Sequence, residues 1–131
     1  MSTRQVVLCN PVRTAIGTYA GSLKEIAAPD LGAVVIRETL ERSGLPGTAI
    51  QTLVMGNVIQ AGVKMNPARQ AGIGGGLPVE VPALTVNRVC GSGAQGVVSA
   101  ALEIWAGMID CAIAGGMENM DRAPYLMPQG R

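Results

Sequence analysis

Apolar positions fall in short runs separated by glycine, proline and asparagine, and the period of the runs changes along the chain. Val6-Val7-Leu8-Cys9 is continuous and closed by Asn10-Pro11, which predicts a short strand covered on both faces. Breakers at Gly17, Gly21 and Pro29 mark the stretch from Arg13 to Ala28 as loop. From Asp30 the period becomes helical. Leu31, Val34 and Val35 share a face, Ile36 and Leu40 widen it, and Arg37-Glu41 and Glu38-Arg42 stand four residues apart as ion pairs. Ser43-Gly44 and Pro46 stop that helix. Leu53-Val54-Met55, a break at Gly56-Asn57, then Val58-Ile59 predict a second strand with a kink or bulge.

Asn66-Pro67 opens a short helix that Gly74-Gly75-Gly76 closes, since asparagine caps free amides and proline is tolerated in the first turn. Ala83 to Val89 is a third strand. Gly91 to Met108 is the longest helix, with Val97, Val98, Ala101, Ile104, Trp105 and Met108 apolar and Glu103 its only charge. A helix so apolar on every side should be buried between layers. Cys111 to Ala114 is a fourth strand before Gly115-Gly116, and the tail from Asp121 to Arg131 has loop composition. The order βαβαβαβ predicts an α/β half-domain with a mostly parallel sheet and a buried central helix over residues 1–120. Residues 121–131 are expected to begin an incomplete loop region.

Composition narrows the function. The 131 residues are 48% hydrophobic and 15% charged, which sets disorder aside. Aromatics stop at Trp105, Tyr19 and Tyr125 and net charge is +1, leaving neither a stacking platform nor a basic stripe for nucleic acid. Val6 to Cys9 is too short for a signal-peptide core, and Val97 to Ile109 falls short of a membrane span. The expectation is a cytoplasmic protein with no membrane partner. Three widely spaced cysteines, Cys9, Cys90 and Cys111, argue against a disulfide framework or a metal site. Histidine is absent altogether, so any Cys-His machinery must draw its base from outside these residues.

Chemistry concentrates in Asn87-Arg88-Val89-Cys90-Gly91-Ser92-Gly93-Ala94-Gln95-Gly96, a strand, a cysteine, a glycine-rich turn and a helix. A cysteine at the amino end of a helix sits near unpaired amides and the positive end of the helix dipole, both of which favour a thiolate nucleophile and a developing oxyanion. Gly91 and Gly93 beside it let a bulky thioester approach the backbone. Two other readings stand beside this one. Cys90 fits equally well as a small buried hydrophobe, as Cys9 and Cys111 do in their strands. Gly91, Gly93 and Gly96 also fit a dinucleotide-binding G-x-G-x-x-G turn, with Glu118 as its acidic residue. That fingerprint usually follows the first strand of a domain and here follows the third, which leaves the two chemistries close.

Val86-Asn87-Arg88-Val89-Cys90-Gly91-Ser92-Gly93 resembles the active-site cysteine motif of thiolases, the acetyl-CoA acetyltransferases and 3-ketoacyl-CoA thiolases. Four further stretches agree in order: residues 11–17, 56–62, 66–71 and 115–120, the last being Gly-Gly-Met-Glu-Asn-Met. The resemblance implies that Cys90 takes an acyl group from acyl-CoA as a thioester, with Gly91 and Gly93 shaping the turn and the Cys90 amide serving the oxyanion hole. Coenzyme A thioesters, acyl-CoA and acetyl-CoA, are the implied substrates, with no covalently bound cofactor. Met117, Glu118 and Asn119 fall in a family motif near the active site, and Glu118 reads as a paired, partly buried carboxylate. The family's coenzyme A loop domain, its Gly-His-Pro histidine and its second, Cys-x-Gly cysteine have no counterpart here. The resemblance therefore implies a complementary carboxy-terminal thiolase chain or segment, inactivity without it, and a homodimer or tetramer in which the strand from Ala83 meets its own copy. A non-catalytic assembly subunit is the remaining alternative.

Overall fold

A computed structural model describes residues 4–130; Met1–Thr3 and Arg131, the last residue of the expected loop tail, lie outside the described residues. Three parallel strands form the sheet: β1 (Thr52–Gly56), β2 (Ala83–Val86) and β3 (Ala112–Gly116), in the order β2-β1-β3. Helices α1 (Ala28–Ser43), α2 (Pro67–Gly74) and α3 (Ser92–Trp105) connect and cover them. The α/β class and the parallel sheet stand as expected, with three strands in place of four.

Side chains alternate across the sheet. Met55 reaches the face where Gly32 of α1 and Ala71 of α2 meet, and Gly56 faces the opposite side, against Ser92 and Gly93. The core lies on the α1/α2 side, built from Ile36, Leu53, Met55, Ala68, Ala71, Leu77, Ile113 and Met117. Each fully buried Ile, Leu or Met side chain contributes about 1.5–3 kcal/mol by removal from water, before entropy is counted. The sequence-predicted Asn66 cap forms: its Oδ1 accepts from the Arg69 N–H at 3.2 Å and from Thr85 Oγ1 at 2.8 Å, while its Nδ2 donates to the Ala83 carbonyl. One residue thus starts α2 and anchors it to β2.

Several boundaries move. Val6 to Cys9 is not a strand. The segment runs without a backbone hydrogen bond to the sheet, and Val7 and Leu8 are 74% and 77% exposed. A strand needs a neighbouring edge, and a cavity of about 890 Å³ separates this segment from β3, lined by Val6 to Gly17 on one side and Cys111 to Met117 on the other. Helix α1 starts at Ala28 rather than Asp30, because Pro29 occupies its first turn, where no amide is needed. Val58 and Ile59 leave β1 without a bulge, β2 stops at Val86 rather than Val89, and β3 runs on to Gly116.

Helix α3 is covered on one side. Ser92, Gly96 and Ala100 are buried against the sheet, and Val98, Leu102 and Trp105 face outward, Trp105 being 57% exposed. The described residues supply the sheet layer only. The tail holds a single 3-10 turn, Met120–Arg122, and is otherwise irregular.

Candidate active site

All three strands end in register, with Gly56 paired to Val86 on one side and to Gly116 on the other. In open parallel sheets this carboxyl end is where ligands bind, because the chain must leave each strand there and open a crevice. The first turn of α3 is drawn onto it. A Cβ on Gly56 would lie 2.6 Å from the Gly93 nitrogen, one on Gly116 would lie 2.9 Å from the Gly93 Cα, and one on Gly96 would lie 2.9 Å from the carbonyl oxygens of Val54 and Gly115. Distances that short admit no side chain, so Gly56, Gly96 and Gly116 set how closely the helix approaches. Gly91 and Gly93 have looser surroundings: a Cβ on either would meet its nearest neighbour at 3.4 or 3.6 Å.

Between β2 and α3 the chain makes one sharp turn, and Cys90 stands in it, exposed. The left-handed residue is not a glycine but Val89, with φ +51. That conformation is a true outlier for a β-branched residue and costs about 1–3 kcal/mol, so neighbouring contacts must hold it. Ser92, itself buried, supplies two of them: its Oγ accepts from the Arg88 N–H at 2.8 Å and donates to the Val89 carbonyl at 2.6 Å. Asn87 supplies a third, its Oδ1 accepting from the Val89 N–H at 3.0 Å. The Cys90 N–H donates to no acceptor among the described residues. An exposed thiol and an amide with no acceptor among the described residues therefore lie together at the carboxyl end of the sheet.

The loop after β1 forms the next wall. Glu118, just past β3, accepts from the Val58 N–H at 2.8 Å through Oε2 and from Asn57 Nδ2 at 2.9 Å through Oε1. Asn57 is 1% exposed, and its Nδ2 also donates to the Met117 carbonyl at 3.2 Å. Glu118 is the paired, partly buried carboxylate the sequence indicates, and its partners are backbone and amide rather than a cation. Asn119 Nδ2 donates to the carbonyls of Leu23, Lys24 and Ile26, fastening the long loop before α1 to the same end of the sheet.

Cys90, Gly91 and Gly93 are thus brought together, and the motifs at residues 56–62 and 115–120 converge on them. The other two cysteines are elsewhere. Cys9 is exposed in the unpaired segment rather than inside a core strand, and Cys111 is half-buried just before β3, at the opposite end of the sheet. Sequence reasoning passed over Asn87, Ser92 and the outlier at Val89; the short polar side chains three before and two after Cys90 were the available signal.

Comparison with known proteins adds an independent line. Residues 6–131 match the family model described as thiolase, N-terminal domain. The chain is 50% identical over 126 residues to an acetyl-CoA acetyltransferase of Cupriavidus necator, covering 96% of this chain and 32% of that protein. It is 52% identical over 130 residues to a beta-ketothiolase of the same organism, covering 98% and 33%. Identity to an acetyl-CoA acetyltransferase of Escherichia coli is 48% over 124 residues, covering 95% and 32%. The chain spans about a third of the length of these relatives.

Proposed function

The chain belongs to the thiolase family, matching its amino-terminal domain, and on that premise we propose that it supplies the nucleophile of an acyl-CoA:acetyl-CoA C-acyltransferase. Cys90 as thiolate attacks the thioester carbonyl of an acyl-CoA, the carbonyl electrons move onto oxygen, and coenzyme A leaves as the carbonyl re-forms on Cys90. In the condensing direction, acetyl-CoA loses an α-proton to a base, its carbanion attacks the Cys90 thioester, and 3-ketoacyl-CoA departs as the Cys90 thiolate is released. Thiolytic cleavage is the same path reversed. The observation that carries this reading is the exposed Cys90, its N–H without an acceptor among the described residues, at the carboxyl end of the parallel sheet. A single oxyanion donor of that kind is worth about 3 kcal/mol.

The dinucleotide reading loses support from Glu118, whose two oxygens are engaged by Asn57 and Val58 rather than free for a ribose. A purely structural role for Cys90 loses support from its exposure.

The proton-moving groups must come from elsewhere, since these residues contain no histidine. We propose that a complementary carboxy-terminal segment or chain supplies them and that this chain alone does not turn over. The cavity between the unpaired amino-terminal segment and β3, and the open apolar face of α3, support that reading. Homodimer or tetramer formation by the assembled enzyme is part of the same proposal. The test is transfer of labelled acetyl from acetyl-CoA to Cys90, read by peptide mass spectrometry in the assembled enzyme. Label on Cys90, and protection of Cys90 from iodoacetamide by acetyl-CoA, are expected; label on Cys9 or Cys111 alone would overturn the assignment.

A further inference from the structure

Asn87 is placed by neither chemistry nor packing, yet it bonds in two directions. Its Oδ1 accepts from the Val89 N–H at 3.0 Å, and its Nδ2 donates to the Val58 carbonyl at 3.1 Å. Val58 is held in turn from its other side, where its N–H donates to Glu118 Oε2. A continuous tie therefore runs from the end of β3, through the loop after β1, to the left-handed residue immediately before Cys90. Both hydrogen-bonding ends of Asn87 are used, the amide nitrogen as donor and the amide oxygen as acceptor on separate atoms. We propose that Asn87 is a positioning residue for Cys90: it fixes Val89 at φ +51 against the loop that Glu118 holds, and so sets the direction in which the thiol leaves the sheet. The proposal rests on Cys90 being the acyl acceptor.

The physical need is specific. Val89 sits in a conformation its side chain disfavours, and Ser92 ties it only within its own turn. Relaxation of Val89 toward an ordinary φ would rotate the following peptide and with it both the Cys90 amide and the thiol. Asn87 is the side chain that ties Val89 to the loop after β1, which Glu118 holds from the end of β3. Because misplacement of a reacting group by about 1 Å can cost ~10²-fold in rate, loss of this tie should show in chemistry before it shows in folding.

The test uses the assembled enzyme with three variants, steady-state kinetics on acetyl-CoA and a thermal melt of each. Asn87→Ala is expected to lower kcat by about 30-fold with KM within about 3-fold and folded protein unchanged. Asn87→Asp keeps the acceptor for the Val89 N–H and should recover part of the loss. Glu118→Gln loosens the far end of the same tie, so the double variant Asn87→Ala, Glu118→Gln should lose no more than the worse single one. An unchanged kcat in Asn87→Ala, losses that track the folded fraction, or additive losses in the double variant would each overturn the positioning role. Turnover retained by Cys90→Ser would overturn the nucleophile assignment instead, so the two failures are distinguishable.

Discussion

Gly56 and Gly93 meet backbone to backbone: a Cβ on Gly56 would stand 2.6 Å from the Gly93 nitrogen, directly beneath the turn that carries Cys90. The central strand and helix α3 are held at a separation that only the absence of a side chain permits. Gly56→Ala must therefore push α3 off the sheet, and because the atoms it meets are main chain, no rotamer change relieves it. A loss of at least ~3 kcal/mol is expected. Gly91→Ala, whose Cβ would meet its nearest neighbour at 3.4 Å, should change stability by under about 1 kcal/mol. Urea unfolding of both variants checks the contrast, and equal losses would contradict it.

Val89→Asn should stabilise the fold and leave the chemistry intact. Asparagine tolerates the left-handed region that valine disfavours, and the exposed Val89 side chain gives up little burial, so about 1 kcal/mol should be recovered. The positive φ that sets the Cys90 amide and thiol is then favoured rather than resisted, so the proposed acyl transfer per folded molecule should be kept or raised. Slower transfer with a higher denaturation midpoint would contradict the idea that the φ at this position, rather than the valine itself, sets the direction of Cys90.

The two testable cysteines should separate. Cys90→Ser is expected to abolish acyl transfer with the fold intact, because a hydroxyl is a far weaker nucleophile than a thiolate at neutral pH. Cys111 packs against the core beside β3, so Cys111→Ser should cost about 1–2 kcal/mol of stability with little direct effect on chemistry. Activity per folded molecule, not per milligram, is the quantity to compare.

Asn57→Asp should be among the worst substitutions in the chain despite its small size. It removes the donor that serves the Met117 carbonyl and Glu118, and it sets a second carboxylate 2.9 Å from the first in a buried position. About 3 kcal/mol or more should be lost at neutral pH, and part of it should return as pH falls and one carboxyl takes up a proton. A pH-independent loss would show that the missing hydrogen bonds, not the paired charges, set the damage.

Periodicity in the sequence located the three helices and the three strands to within a few residues, and motif spacing placed Cys90 at the entry to α3. What it missed has a common origin. Val6 to Cys9 has every local mark of a buried strand, but pairing depends on an edge that local pattern does not encode. Pro29 reads as a breaker and serves as a first-turn residue, since the same missing amide suits both places. Glycine pattern pointed to Gly91 and Gly93, whereas the closest contacts between α3 and the sheet fall on Gly56, Gly96 and Gly116. Those are set by elements far apart in sequence, as is the tie through Asn87 and Glu118.

The order β2-β1-β3 also dictates when this domain can form during synthesis. Leu53 pairs with Ala83 and Thr52 with Ala112, thirty and sixty positions further along the chain, and neither strand of β1's two neighbours is reachable by a hairpin. The most buried strand is thus made first and satisfied last. Until the chain through Gly116 has left the ribosome, Leu53, Val54 and Met55 remain an apolar segment with one or both edges open. Nascent chains stalled between Val86 and Gly116 should accordingly bind chaperones that recognise extended apolar segments, and release them once β3 has emerged.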